Sequence, residues 1–111
     1  MSLNIKELAK YYEAGDFESL IRLLDRDLND AHLLSLRGIT KKALGKIEPA
    51  LADLEQAIKL LPGDTDLLTN LGNAYREAGK LTNSESAYES ALAANPENAN
   101  AHDALGLLLF D

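Results

Sequence analysis

One period runs through the chain and leaves few folds open. Shifted by 34 residues, segment 31–64 lies on 65–98 without a gap. Eight positions are then identical: Leu33/Leu67, Leu34/Leu68, Gly38/Gly72, Gly45/Gly79, Lys46/Lys80, Glu55/Glu89, Ala57/Ala91 and Pro62/Pro96. A fixed period of this length marks a unit that cannot bury its apolar face alone and must stack on its neighbours.

Each identical pair has a job in a helix–turn–helix. Gly38 and Gly72 fall inside apolar-periodic segments. Glycine there costs about 1 kcal/mol against alanine, so a second helix passing at close range has to offset it. Gly45 and Gly79 follow those segments and suit a left-handed cap that ends the first helix. Ala57 and Ala91 are small residues placed to accept a neighbour, and Pro62 and Pro96 end the second helix. Helices are expected over 4–14, 17–28, 31–44, 48–61, 65–78, 82–94 and 99–110. Thr82 with Glu85, and Asn4 with Glu7, form capping-box patterns. Pro49 lies in a first turn, where its missing N–H is harmless, and Asp64 is placed to cap the helix after it.

These residues resemble the tetratricopeptide repeat, whose pattern is W-x2-L-G-x2-Y, then A-x3-F, then P, over 34 residues. In 65–98 the matching residues are Leu68, Leu71-Gly72, Tyr75, Ser84, Tyr88 and Pro96; in 31–64 they are Leu34, Arg37-Gly38, Lys41, Ala50, Leu54 and Pro62. Segment 1–30 is a weaker copy, with Leu8, Tyr11 and Gly15-Asp16-Phe17-Glu18 in place, four residues short and joined to the next unit only by Asn29-Asp30. Segment 99–111 starts a fourth copy with Leu105-Gly106. The resemblance implies an all-α fold, a right-handed superhelical solenoid of antiparallel helix hairpins. It makes 1–111 a single domain, with repeats at 1–30, 31–64 and 65–98 and a partial repeat or capping helix at 99–111.

The two aligned units differ in one coupled way. Leu71 and Ala87 of the later unit are replaced by Arg37 and Asp53 in the earlier one. An apolar pair has become an opposite-charge pair, which points to a salt bridge across the hairpin with a structural role.

Charge narrows the function. Acids outnumber bases 18 to 11, a net −7, which argues against nucleic acid, whose binding rests on Lys and Arg at phosphates, and against an anionic membrane surface. A neutral or basic protein partner is favoured by steering. The chain has no Cys, so disulfides and thiolate chemistry are excluded. It has no apolar run of the roughly 18–20 residues that span a bilayer. Residues 1–7 lack the basic start and apolar stretch of a signal peptide. The expectation is a soluble, untargeted, cytoplasmic chain.

Catalysis finds no foothold. His32 and His102 belong to different units, lack Cys or a second His at metal-ligand spacing, and read as ordinary surface or groove histidines. No phosphate-cradling glycine motif occurs. No enzyme, cofactor or metal is expected.

What the resemblance implies instead is a peptide-binding concave groove lined by first helices. Its inward places are His32, Ser35, Leu36, Ile39 and Lys42, then Asp66, Thr69, Asn70, Asn73 and Arg76, then Asn100 and Asp103. Asn70 and Asn73 share a face, and an amide offers both donor and acceptor to a peptide backbone. Some family members clamp a C-terminal carboxylate with a fixed Lys, Asn and Arg set. Ser35, Ile39, Thr69 and Asn73 stand at the Lys and Asn places here, so that function does not carry over. Residues 105–110 of the last helix are apolar all round. Leu105 and Leu109 are expected to pack inward, leaving Leu108 or Phe110 facing where a next helix would lie. A polar-faced cap is absent, so the chain reads as a piece of a longer array prone to self-association as a homo-oligomer. The leading function is a scaffold that binds a polypeptide in the groove. The alternatives are a self-assembly module using the C-terminal helix, or a regulatory arm of a larger enzyme.

Overall fold

The computed structural model describes residues 3–110. Within them lie seven helices: α1 (Ile5–Glu13), α2 (Phe17–Leu24), α3 (Ala31–Ala43), α4 (Ile47–Leu60), α5 (Thr65–Glu77), α6 (Leu81–Ala94) and α7 (Ala99–Phe110). No strand occurs among the described residues. The molecule is an all-α solenoid of 42 × 25 × 22 Å.

Local chemistry sets the helix ends. Gly15, Gly45 and Gly79 all have φ between 76° and 81°. In each case the glycine N–H and the next N–H fold back onto the preceding turn; Gly45 N reaches Lys42 O and Lys46 N reaches Lys41 O. This doubled closure satisfies carbonyls that would otherwise be orphaned. Starts repeat as well: the Asp30 carboxylate accepts from His32 and Leu33 N–H, Asp64 from Asp66 and Leu67 N–H, and Asn98 from Ala101 N–H. Asn4 caps α1 by accepting from Lys6 N–H. Thr82 is not a cap, because the Gly79 turn releases the chain early and α6 starts at Leu81 from Lys80 with no side-chain cap.

The mid-helix glycines sit at helix crossings. A Cβ on Gly38 would lie 2.8 Å from Leu54 Cγ, and one on Gly72 would lie 2.5 Å from Tyr88 Cε1. Leu54 and Tyr88 are themselves one period apart, so each glycine seats the same large residue of its second helix. Apolar clusters then fill every seam, for example Leu51, Leu54, Leu71 and Ala74 between α4 and α5.

Arg37 and Asp53 pair as their joint replacement requires. Arg37 Nε donates to Asp53 Oδ2 at 2.8 Å and Nη2 to Oδ1 at 2.9 Å. Lys41 Nζ adds a second cation 2.9 Å from Oδ2. Burial alone would raise the Asp53 carboxyl, but hydrogen bonds from Arg37 and Lys41 overturn that and hold it below its ordinary value. The Asp53 hydrogen bond in turn raises Arg37, against burial that lowers it.

The same guanidinium explains where α2 ends. Expected to run to residue 28, α2 stops at Leu24, and Arg37 Nη1 donates to the carbonyls of Leu24 (3.0 Å) and Arg26 (2.9 Å). Carbonyls satisfied from outside need no further helical turn. The link to α3 is therefore residues 25–30 rather than Asn29-Asp30 alone. Leu28 within it joins the apolar clusters on either side.

Candidate functional site: the inner face

Helices α1, α3, α5 and α7 touch one another in series, whereas α2, α4 and α6 touch only first helices. Elements that pack closer lie on the inside of a curve, so the first helices line the concave face. A pocket of about 330 Å3 opens there between α1, α3 and α5. Its walls are apolar, from Ile5, Leu36, Ile39 and Leu67, and polar groups of His32, Asp66, Ser35 and Asn70 edge it. Six of the twelve residues expected from sequence come together in it: His32, Ser35, Leu36, Ile39, Asp66 and Asn70. Ile5 was missed, because α1 belongs to the weak first copy and its register against α3 depends on the short α2 and the link 25–30.

Exposure sorts the expected residues further. His32, Asp66, Asn100 and Asp103 are exposed, while Ile39, Lys42, Asn70, Asn73 and Arg76 are half-buried. Ser35 and Leu36 are buried at the base of the seam. Thr69 does not face the groove. It is 5% exposed, donates to Thr65 O and accepts from Asn98 Nδ2 at 3.3 Å, held in the α5–α7 seam. Asp103 opens instead into a separate hollow on α7 with His102, Gly106, Leu107 and Phe110.

The two asparagines are not equivalent. Asn70 Nδ2 donates to Ser35 Oγ on α3 at 3.1 Å. Asn73 Oδ1 accepts from Tyr88 OH on α6 at 2.6 Å. Neighbours on the helix, they turn to opposite partners, and only Asn70 enters the pocket. Its carbonyl oxygen and second N–H are left over for a ligand.

Outside the groove, Tyr75 OH donates to Glu55 Oε2 at 2.7 Å. Burial and that carboxylate push the phenol up to about 12. His102 Nε2 lies 2.6 Å from Pro96 O and must carry the proton, since a carbonyl only accepts. No described helix is long and apolar enough to cross a membrane, and no group of three His, Cys, Asp or Glu suited to a metal occurs among the described residues.

The last helix departs from expectation. Its buried stripe is Ala101 and Ala104, with Leu105 and Leu108 half-buried along it. Leu109 lies off that stripe and is 51% exposed, with Leu107 at 59% and Phe110 at 89%. Leu109 thus faces outward and Leu108 inward, the reverse of the expected assignment, and Phe110 stands exposed.

Comparisons with known proteins agree with this architecture. The chain is 36% identical over 89 residues to a probable UDP-N-acetylglucosamine–peptide N-acetylglucosaminyltransferase SPINDLY of Hordeum vulgare, covering 80% of this chain and 9% of that one. It is 30% identical over 92 residues to the chloroplastic tetratricopeptide repeat domain-containing protein PYG7 of Arabidopsis thaliana, covering 80% of this chain and 31% of that one. The chain thus spans a third or less of these relatives' length. The second TPR domain of human RPAP3, solved in complex with an HSP70 peptide, superposes with a TM-score of 0.83 at 25% identity over 93% of this chain and 89% of that one. A family model described as tetratricopeptide repeat matches residues 35–99 and 69–111. With two overlapping matches across more than half its length, the chain belongs to the tetratricopeptide repeat family.

Proposed function

We propose that the chain is a protein-interaction scaffold that seats an extended stretch of another polypeptide on its inner face, centred on the pocket between α1, α3 and α5. The observation that carries this reading is the pocket's make-up, an apolar base ringed by His32, Asp66 and Asn70. Apolar walls supply burial, and a few polar groups fix orientation. The human RPAP3 domain was solved with a bound peptide, which supports a peptide as the ligand class. Lys42 and Arg76 lie toward the far end of their helices and would meet acidic groups of a longer ligand. The exposed Leu107, Leu109 and Phe110 of α7 support a second reading, self-assembly through that helix.

The test is a peptide-display selection against the wild type and against a His32→Ala/Asp66→Lys variant. Both residues are exposed, so the fold survives their replacement. Enriched peptides sharing a motif, and lost in the variant, are the expected outcome. No enrichment, or enrichment indifferent to the variant, overturns the groove as the working site.

A further inference from the structure

Successive second helices do not touch, so on the outer side a first helix forms the floor of each groove between them. Between α2 and α4 that floor is α3, and charged groups fill it from within, Arg37 and Lys41 both meeting Asp53 of α4. One period on, those three places are Leu71, Tyr75 and Ala87. All three line a hollow of about 420 Å3 on α5 and α6. Leu68 completes its floor, and the exposed Thr82, Ser86 and Ser90 of α6 give it a hydroxyl-bearing wall. Tyr75 carries the hollow toward α4, where its OH donates to Glu55 Oε2 at 2.7 Å. Glu55 is exposed, and no cation pairs with it among the described residues. Its Oε1 is left for a donor from outside.

We propose that this outer hollow seats an arginine side chain of a basic partner polypeptide, separately from the concave groove. The arginine stem lies on Leu68 and Leu71, its guanidinium faces the Tyr75 ring, and its N–H groups reach Glu55 and the hydroxyl wall. A guanidinium suits the place because it is flat, weakly hydrated and donates in several directions at once. Arg37 is used that way in the earlier groove, where it holds one carboxylate and two backbone carbonyls together. Attraction to an aromatic face and a charge-assisted bond to a carboxylate both need the positive charge. Ser90 stands at the opposite end of the hollow from Tyr75 and offers a donor and an acceptor to the backbone that carries the arginine. The net charge of −7 favours the approach of a basic segment.

A second copy of this chain is a poor source of that arginine. Its exposed Arg26 is flanked by Asp25 and Asp27, and its Arg22 donates to Ser19 Oγ on its own helix. Each copy also carries net charge −7, and like charges oppose association. The partner is therefore a foreign segment that bears an arginine and no adjoining acids.

The probe is the capped tripeptide acetyl-Ala-Arg-Ala-amide, titrated into the intact chain and followed by amide chemical shifts. Matched peptides carry lysine, or citrulline as the neutral isostere, in place of arginine. The arginine peptide should give saturable shifts centred on Leu71, Tyr75 and Ser86. Lysine lacks the planar fork and should bind about tenfold more weakly, and citrulline should give no saturable shift. Glu55→Gln keeps an acceptor for Tyr75 but removes the charge, and should weaken the arginine peptide about tenfold. Ser86→Leu fills the hollow from an exposed position and should abolish binding with the fold intact. The groove variant His32→Ala/Asp66→Lys should bind the arginine peptide as wild type does, whatever its effect on display-selected peptides. Absent or unsaturable shifts, citrulline or lysine binding as well as arginine, or binding indifferent to Glu55→Gln and Ser86→Leu would each overturn the proposal. So would tighter binding of free arginine than of the capped peptide, since the amino acid itself would then be the occupant. A dimer of the chain alone that Ser86→Leu dissolves would overturn it as well, with a second copy in the hollow.

Discussion

Arg37 and Asp53 face each other across the second hairpin through two parallel hydrogen bonds, and the same guanidinium holds the carbonyl of Leu24 at the end of α2 and that of Arg26 just after it. The pair thus ties α3 to α4 and the first hairpin to the second. Asp53 has only one role in this set, whereas Arg37 has two. Asp53→Ala should cost about 3 kcal/mol, because it strands a partly buried cation, with Arg37→Leu costing more. The double variant should cost less than the sum by at least about 1 kcal/mol. Chemical denaturation of the four proteins measures this, and additive costs would show that the two side chains do not act as a unit. Hydrogen exchange should place the extra loss from Arg37→Leu in α1 and α2.

The bridge also predicts an acid dependence with a defined sign. Asp53 has a folded pKa below its ordinary 3.8. Its stabilisation is therefore fully present above the unfolded value and is lost as pH falls through the folded one. The stability gap between wild type and the Arg37→Leu/Asp53→Ala variant should be widest near about pH 7 and narrow toward about pH 2.5. Urea midpoints at the two pH values decide it, and a gap that is constant or grows in acid contradicts the assignment.

One substitution at three equivalent places should give opposite signs. Gly38→Ala meets Cγ of the buried Leu54 at 2.8 Å and the Ala50 carbonyl at 3.2 Å, and should cost about 1 kcal/mol or more net of the better helix propensity. Gly72→Ala meets the rigid ring of Tyr88, which is fully buried, and should cost about 2 kcal/mol or more. Gly106→Ala meets nothing and should stabilise by up to about 1 kcal/mol through helix propensity alone. Thermal melts of the three variants suffice. A destabilising Gly106→Ala would mean that the third notch is not open in solution.

The residues that were legible in the sequence are those whose role is fixed by their own covalent structure. Glycine alone takes the backbone at Gly45 and Gly79 without strain, and glycine alone admits Leu54 and Tyr88 at such short range. The coupled change at Arg37 and Asp53 was legible because charge replaced apolar character at both ends together. What periodicity could not supply was the partner of a side chain in a seam. The end of α2 is set by a donor 13 residues away, and Asn70 and Asn73 are claimed by partners 35 and 15 residues away. Leu109 was misplaced for a related reason. Residues 105–110 are apolar all round and give no polar face of their own to orient by, whereas Asn100, His102 and Asp103 one to two turns earlier mark the outer side and the short alanines 101 and 104 the buried one.

Asn98 offers a test in which a residue favoured elsewhere in the period fails. Asp30 and Asp64 occupy the equivalent places and cap their helices. Asn98 also caps, but its Nδ2 donates to Thr65 Oγ1 at 2.8 Å and Thr69 Oγ1 at 3.3 Å. Those hydroxyls have already given their protons to Ala91 O and Thr65 O, so they can only accept from Asn98. A carboxylate there would bring lone pairs against lone pairs in a buried seam. Asn98→Asp should therefore cost about 2 kcal/mol although Asp is as good a cap as Asn. The reverse exchange, Asp64→Asn, should cost only a few tenths, roughly, since both caps rank alike. Denaturation of both variants, with hydrogen exchange to follow α7, is the measurement. Equal costs at the two places would mean that the threonine hydroxyls are free to turn, and that the seam between α5 and α7 is held by Ala101 and Ala104 alone.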